Sequence, residues 1–75
     1  MKADKLLDVR GMLCPMPIVK LSKAIRDAAS GEVIEMLADD EGAWQDVPAW
    51  AKKTGNEYLG SERADSYSRH FVRKT

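Results

Sequence analysis

A short apolar run in the middle of the sequence constrains the fold more than any other feature. Residues 33–38 are all apolar except Glu35, and a run of this length is typical of a buried strand and too short for a helix. Segments in which apolar residues recur at helical spacing precede and follow it. Strands that alternate with helices are typical of α/β architectures. We therefore predict that residues 33–38 form a central strand of an α/β domain.

The first helical segment begins at two closely spaced prolines and is predicted to span residues 15–29. Pro15 suits the first helical position, where a missing N–H costs nothing, and Pro17 still lies within the first turn. Gly31 is expected to end the helix as a left-handed cap. The residues expected to face the core recur every three or four positions: Ile18, Leu21, Ile25 and Ala28.

The second helical segment covers residues 43–54, but Pro48 limits where its helix can begin, since proline is excluded from a helix interior. We predict a short turn at residues 43–45, followed by a helix that is capped by Asp46 and starts near Pro48. Gly55 is expected to close this helix.

Three further strand-length segments, at residues 6–9, 57–62 and 67–73, complete the predicted sheet. The predicted fold is a two-layer α/β sandwich with the order β-α-β-α-β-β, a four-stranded mixed sheet and two helices on one face. The first two strands are expected to be parallel, because a right-handed crossover joins them. The other sheet face is expected to be largely open to water. We expect a single domain over residues 1–75.

The composition excludes several classes of function. The 75 residues include twelve basic and twelve acidic residues, and this balance argues against a general binder of nucleic acid or membrane surfaces. No stretch is apolar and long enough to span a membrane, and the charged start predicts no signal peptide. Cys14 and His70 each occur once and lie far apart, so the sequence predicts no metal site and no cofactor. A lone unpaired cysteine fits a reducing compartment, and we expect a cytoplasmic protein.

The single cysteine is the strongest candidate for chemistry. Cys14 stands in Cys14-Pro15-Met16-Pro17, where a strand gives way to a helix. The positive end of a helix dipole favours a thiolate, so the thiol pKa is expected to fall below the free value of about 8.5. With Cys14 as the N-cap, the N–H of Met16 is the predicted donor to the sulfur, because Pro17 has no N–H. From position alone, a buried and unreactive cysteine remains the alternative.

Residues 7–17 closely resemble the signature of the TusA/SirA-like sulfur-carrier family, which is a strand, a glycine, two residues and then Cys-Pro-x-Pro at a helix start. Ala38-Asp39-Asp40 and Asp46-Val47-Pro48 also resemble family features. The resemblance implies a two-layer α/β sandwich in which Cys14 carries sulfane sulfur as a persulfide, so that the protein is a carrier of the sulfurtransferase type. It also implies a donor, such as a cysteine desulfurase or a rhodanese-like protein, and an acceptor protein in tRNA thiolation, cofactor synthesis or sulfur oxidation. We expect no direct nucleic-acid or membrane partner and a monomer when the chain is free.

Several charged residues have two interpretations. Lys20, Lys23 and Arg26 lie on the exposed side of the first predicted helix and form either a solvated helix face or a docking surface for acidic partners. Asp39 and Asp40 either satisfy backbone donors or belong to the same docking surface. Core packing is expected for Trp44, whereas a partly exposed Trp50 would be a partner contact.

Two other functions are compatible with one reactive cysteine. A thiol redox or peroxide-sensing module would need an intermolecular disulfide, since the chain has no resolving cysteine. A regulatory interaction domain would not need Cys14 at all. His70 would have to lie within hydrogen-bond reach of Cys14 to act as its base, and an ordinary strand histidine is the favoured interpretation.

Overall fold

The structure, a computed structural model, describes residues 2–13 and 15–75. Its elements follow the predicted order and confirm the two-layer β-α-β-α-β-β architecture. They are β1 (Lys5–Asp8), α1 (Met16–Asp27), β2 (Val33–Ala38), α2 (Ala43–Thr54), β3 (Glu57–Arg63) and β4 (Ser68–Arg73).

The four strands form one mixed sheet in the order β1-β2-β4-β3. β1 pairs in parallel with β2, as a right-handed crossover through α1 requires, and β4 runs antiparallel to both of its neighbours. β2 is therefore a central strand, which confirms the prediction from the apolar run. The register places Ser68 opposite Ala38 on β2 and His70 opposite Ser61 on β3, which brings together side chains from three strands.

The main core lies between the sheet and the two helices. Leu21, at the centre of α1, is fully buried, and Ile18 and Trp50 pack against the edge of the core. All four residues predicted to face the core from α1 therefore lie in it or against it. The buried members of this cluster are Val9, Leu21, Ile25, Ala28, Ile34, Met36, Ala38, Ala43, Val47 and Val72.

The opposite face of the sheet is less open than the sequence predicted. Leu6 is 64% exposed on this face, but Phe71, which alternates with the core residue Val72, is only 2% exposed. Long side chains lie along the face, and the Arg69 Nε approaches a Glu35 carboxylate oxygen at 3.7 Å. Glu35 lies opposite Phe71 in the register, and Glu35 and Arg69 are both half-buried. The aliphatic stems of such long side chains cover apolar surface.

Helix α1 ends earlier than predicted. Its C-cap is Ala28, in extended conformation, whereas Gly31 has its positive φ of 88° in the turn before β2. The Lys74 ammonium donates to the carbonyls of Arg26 (3.2 Å) and Ala28 (2.8 Å). A cation at the carbonyl end of a helix is electrostatically favourable, and here it comes from the distant C-terminal segment.

The predicted start of α2 was wrong. The helix begins at Ala43 and continues through Pro48, and Asp46 lies in its first turn rather than at its N-cap. The Asp40 carboxylate accepts the Gly42 N–H at 3.1 Å, and the Asp40 carbonyl accepts the Ala43 N–H at 3.1 Å. These bonds form a tight initial turn upstream, so Pro48 lies inside the helix. A proline there removes the hydrogen bond that its own N–H would make.

Candidate functional site

Cys14, the predicted nucleophile, lies outside the residues that the structure describes. Its neighbours in sequence are both exposed, and Leu13 has 76% of its surface accessible. Met16 and Val19, on the first turns of α1, are also exposed large apolar residues, at 42% and 50%. An apolar patch made of Leu13, Met16 and Val19 thus surrounds the start of α1.

The start of α1 differs in detail from the prediction. The N-cap is Pro15, with φ −97° and ψ 12°, so the helix does not open at Cys14. The Met16 N–H donates to the Leu13 carbonyl at 2.9 Å, and its predicted bond to the sulfur lies outside the residues that the structure describes. Pro17 lies in the first turn, as expected, and this turn contains no acidic residue. The positive end of the helix dipole is therefore not neutralised by a carboxylate of its own turn.

An ion pair orders the segment between β1 and α1. The Asp8 carboxylate accepts from the backbone N–H of Arg10 at 3.0 Å and from its guanidinium at 3.0 and 2.8 Å. These hydrogen bonds from Arg10 hold the pKa of Asp8 at about 2. The guanidinium also lies 4.9 Å from the centroid of the Tyr67 ring, which is within cation–π distance. Arg10 thus connects this segment to the start of β4.

Asp39 and Asp40 both accept hydrogen bonds from backbone N–H groups. Both carboxylate oxygens of Asp39 lie 3.0 Å from the N–H of Gly11, on the segment that leads to Cys14. The Asp40 carboxylate accepts from the N–H of Gly42 at the start of α2. These contacts agree with the interpretation that Asp39 and Asp40 satisfy backbone donors.

The predicted basic surface is exposed along α1. Lys20, Lys23 and Arg26 are all accessible to solvent, and no acidic side chain lies within 4 Å of them among the ion pairs of residues 2–13 and 15–75. The apolar patch at the start of α1 and the basic residues along it form one continuous helix surface.

A shallow groove of about 360 Å³ lies between the start of α1 and the middle of α2. Its wall includes Trp50, which is half-buried, and the indole Nε1–H donates to the Ser22 hydroxyl at 2.9 Å. Trp50 is thus fixed against α1 rather than free at the surface. The lining residues are Pro15, Ile18, Asp46, Ala49, Trp50 and Lys53.

His70 belongs to a buried hydrogen-bond chain that the sequence did not predict. Its ring has no exposed surface, and Nδ1 and Nε2 lie 2.7 and 2.8 Å from the hydroxyls of Ser61 and Ser68. The Ser68 hydroxyl donates to the Ala38 carbonyl at 3.1 Å, so its oxygen accepts from Nε2–H, and Nδ1 accepts from Ser61. Tyr58 bonds to Ser61 in turn.

This chain gives His70 a structural role. Both ring nitrogens are engaged by serines, so neither is available to take a proton from a thiol. Burial lowers the pKa of the imidazole, because the charged form loses its hydration. The only sequence signal for this environment was the placement of His70 in a predicted strand.

Trp44 covers His70 rather than filling the main core. The two rings meet edge to face at a centroid distance of 5.3 Å, and the Arg63 guanidinium lies 4.9 Å from the centroid of the Trp44 ring. Trp44 is half-buried, so the expectation of core packing holds only in part.

The described residues contain neither a metal-binding cluster nor a membrane-spanning helix. Within residues 2–13 and 15–75, no three His, Cys, Asp or Glu side chains are grouped so that they could hold a metal ion. No helix in the same part of the chain has the length and apolar character needed to cross a membrane.

Comparison with known proteins defines the class. The family model described as "Sulfurtransferase TusA" matches residues 5–74. "Putative sulfur carrier protein YrkF" of Bacillus subtilis is 53% identical over 74 residues, covering 99% of this chain but only 40% of that protein. "Sulfur carrier protein TusA" of Allochromatium vinosum is 35% identical, with 96% of this chain and 95% of that protein covered. The chain therefore spans less than half of YrkF and nearly all of the second relative.

The fold has a solved counterpart. The crystal structure of a SirA-like protein from Desulfitobacterium hafniense superposes with a TM-score of 0.75 at 25% sequence identity, over 92% of this chain and 95% of that one. Fold and sequence together define the class of small α/β sulfur-carrier domains. The chain belongs to the TusA family, with the family match covering both helices and all four strands.

Proposed function

We propose that this protein carries sulfane sulfur as a persulfide on Cys14 and passes it to a partner protein. The observation that carries the proposal is the TusA family match over residues 5–74, which includes Cys-Pro-x-Pro at the junction between β1 and α1. The exposure of Leu13, Pro15 and Met16 supports it, since a partner must reach the sulfur from outside.

Loading needs only a thiolate and a donor. The Cys14 thiolate attacks the terminal sulfur of a donor persulfide, a new S–S bond forms on Cys14, and the donor's S–S bond breaks to release the donor thiolate. No electrons are gained or lost overall, so no redox cofactor is needed. The positive end of α1, with no carboxylate in its first turn, favours the thiolate. We propose this electrostatic effect as the source of activation, since the Met16 N–H already bonds to Leu13.

The direct test is sulfur loading followed by intact mass. Incubation with a cysteine desulfurase and cysteine, or with a rhodanese-like protein and its sulfur source, should add one sulfur atom, and the Cys14→Ser variant should gain none. Failure of the wild type to gain sulfur from both donors would contradict the proposal. Covalent dimers on non-reducing gels after peroxide, without any sulfur adduct, would favour the redox-sensing alternative.

We propose that the partner-facing surface combines the apolar patch of Leu13, Met16 and Val19 with the basic residues Lys20, Lys23 and Arg26. The carboxylates of Asp39 and Asp40 are engaged by backbone N–H groups, so the basic side of α1 is the better candidate. Charges around an interface mainly set association rate and partner choice. The surface fits an acidic-rimmed partner with an apolar centre.

Charge reversal tests this surface. Lys20→Glu and Lys23→Glu should slow association with the sulfur donor and reduce its dependence on salt, because the steering attraction is removed. Lys52→Glu on α2 is the matched control, since it makes the same charge change on an exposed helix position away from α1. Equal effects from all three substitutions would show that only net charge matters and would contradict a defined docking surface.

A further inference from the structure

One side chain connects the loop after β2 to the segment that leads to Cys14. Both carboxylate oxygens of Asp39 lie 3.0 Å from the backbone nitrogen of Gly11. Hydrogen bonds to an ionised acceptor are stronger than neutral ones. The two residues are 28 positions apart, so this is a tertiary contact, and it reaches the chain three residues before Cys14.

The contact with Asp39 restricts the backbone of a residue that is itself flexible. Gly11 has φ of 85°, a conformation that glycine adopts readily but does not enforce. The hydrogen bonds of its neighbours are local: the Arg10 N–H donates to Asp8, and the Met12 N–H donates to the Val9 carbonyl at 3.1 Å. Local bonds shape a turn, whereas tertiary contacts fix it to the rest of the fold. Arg10 lies over Tyr67 and Met12 packs against the core. Asp39 adds the contact that holds the Gly11 N–H itself.

Asp39 is itself held by fixed backbone on both sides. The carbonyl of Ala38 accepts the buried Ser68 hydroxyl at 3.1 Å, within the chain that includes His70. On the other side, Asp40 accepts from Gly42 through its carboxylate. A group that positions a reactive segment works best when its own support is rigid, and Asp39 meets that condition although its side chain is exposed.

We propose that Asp39 is a positioning residue: by holding the Gly11 N–H, its carboxylate sets the place from which the Cys14 sulfur is presented to a partner. This inference rests on the proposed function, because sulfur loading is the step in which the position of Cys14 matters. Asp39 takes no part in the bond changes. Its carboxylate acts through the backbone of residues 11–13.

The test compares three substitutions. Asp39→Ala removes the acceptor, Asp39→Asn keeps one oxygen acceptor without the charge, and Asp65→Ala is a matched control that removes the same charge from the exposed turn between β3 and β4. The measurements are the Gly11 amide shift in ¹H–¹⁵N spectra, the rate of Cys14 alkylation against pH, and the rate of sulfur loading. All measurements are made under conditions in which circular dichroism shows that each variant is folded.

Asp39→Ala should move the Gly11 amide proton upfield and slow sulfur loading roughly tenfold, within the range that a misplaced reacting group costs. Asp39→Asn should recover part of both effects, and Asp65→Ala should change neither. Loading at the wild-type rate in Asp39→Ala, with the Gly11 shift moved, would overturn the proposal. An unchanged Gly11 shift in Asp39→Ala would also overturn it, since the hydrogen bond would then be absent in solution.

The alkylation rate separates this proposal from the proposed function. If the wild type gains no sulfur, the carrier function fails, yet a changed limiting alkylation rate in Asp39→Ala still supports positioning of Cys14. If the wild type loads normally and Asp39→Ala alkylates and loads like it, only the positioning role is refuted.

Discussion

Burial of His70 should make the stability of this fold depend on pH in one defined window. The ring has no exposed surface, and burial lowers its pKa below the ordinary value. An unfolded histidine titrates near 6.5. Between the folded pKa and about 6.5, the unfolded chain therefore binds a proton that the folded chain does not. The free energy of unfolding must then rise with pH, by at most about 1.4 kcal/mol per pH unit for one proton.

The window can be assigned because other groups titrate elsewhere. Above about pH 6.5, both states hold neutral His70, so its contribution to the pH dependence ends there. The hydrogen bonds from Arg10 to Asp8 and from Arg63 to Glu41 lower the pKa values of these two carboxyl groups. Their stabilisation is lost only as pH falls below the unfolded carboxyl values of about 4. His70 is the single histidine in the sequence, so a slope that lies below about pH 6.5 and above the carboxyl range belongs to it.

The assay is urea denaturation followed by tryptophan fluorescence across this window. The effect is measurable, because a chain of this length has a total stability of only about 4 to 11 kcal/mol. His70→Gln is the control, because its side-chain amide offers an NH2 donor and a carbonyl acceptor to the two serines and does not titrate. Its free energy of unfolding should therefore not change with pH in this window, even if the variant is less stable. A flat wild-type profile would refute the reasoning, as would an imidazole pKa at or above 6.5 measured by NMR.

Further substitutions test the packing and the turn before Cys14. Ser68→Ala should cost about 2 to 4 kcal/mol in urea denaturation, because it removes one buried hydrogen bond and leaves the Nε2–H of His70 without an acceptor. Leu21→Ala should lower the free energy of unfolding by about 3 to 5 kcal/mol, since Leu21 is fully buried. Leu13→Ala should change it by no more than about 0.5 kcal/mol, because Leu13 is exposed. Equal losses in the two variants would contradict the assignment of the core. Gly11→Ala should lose about 1 to 2 kcal/mol in thermal unfolding, because its φ of 85° strains any residue with a Cβ, and an unchanged Tm would contradict that conformation.

The sequence predicted well those features that depend on local pattern. The apolar run at residues 33–38 became β2 with the predicted bounds, and the periodic positions of α1 lie in or against the core. Gly55 closes α2 in the left-handed conformation, as predicted. These features depend on the periodicity of side chains or on the backbone preference of one residue, and both can be read from the sequence.

The errors came from contacts that side-chain periodicity does not encode. The start of α2 was placed too late because Pro48 was taken as a limit, whereas the Asp40 carboxylate and carbonyl begin the helix upstream. The His70 chain depends on the register of three strands, and no local pattern encodes a register between strands that are 30 residues apart.

The two aspartates after β2 show how such contacts bear on the proposed function. In the sequence, an Asp-Asp pair in a loop is equally compatible with a surface for partners and with satisfied backbone donors. In the structure, the Asp39 carboxylate accepts from a backbone N–H in the segment before Cys14, which favours the second interpretation. On α1, by contrast, Lys20, Lys23 and Arg26 are exposed and give that helix surface a net positive charge. In the proposals made above, an acidic residue after β2 holds the segment before Cys14, and basic residues on α1 attract the partner. A substitution of Asp39 should therefore leave the salt-dependent association unchanged, and a substitution on α1 should leave the Gly11 hydrogen bond unchanged.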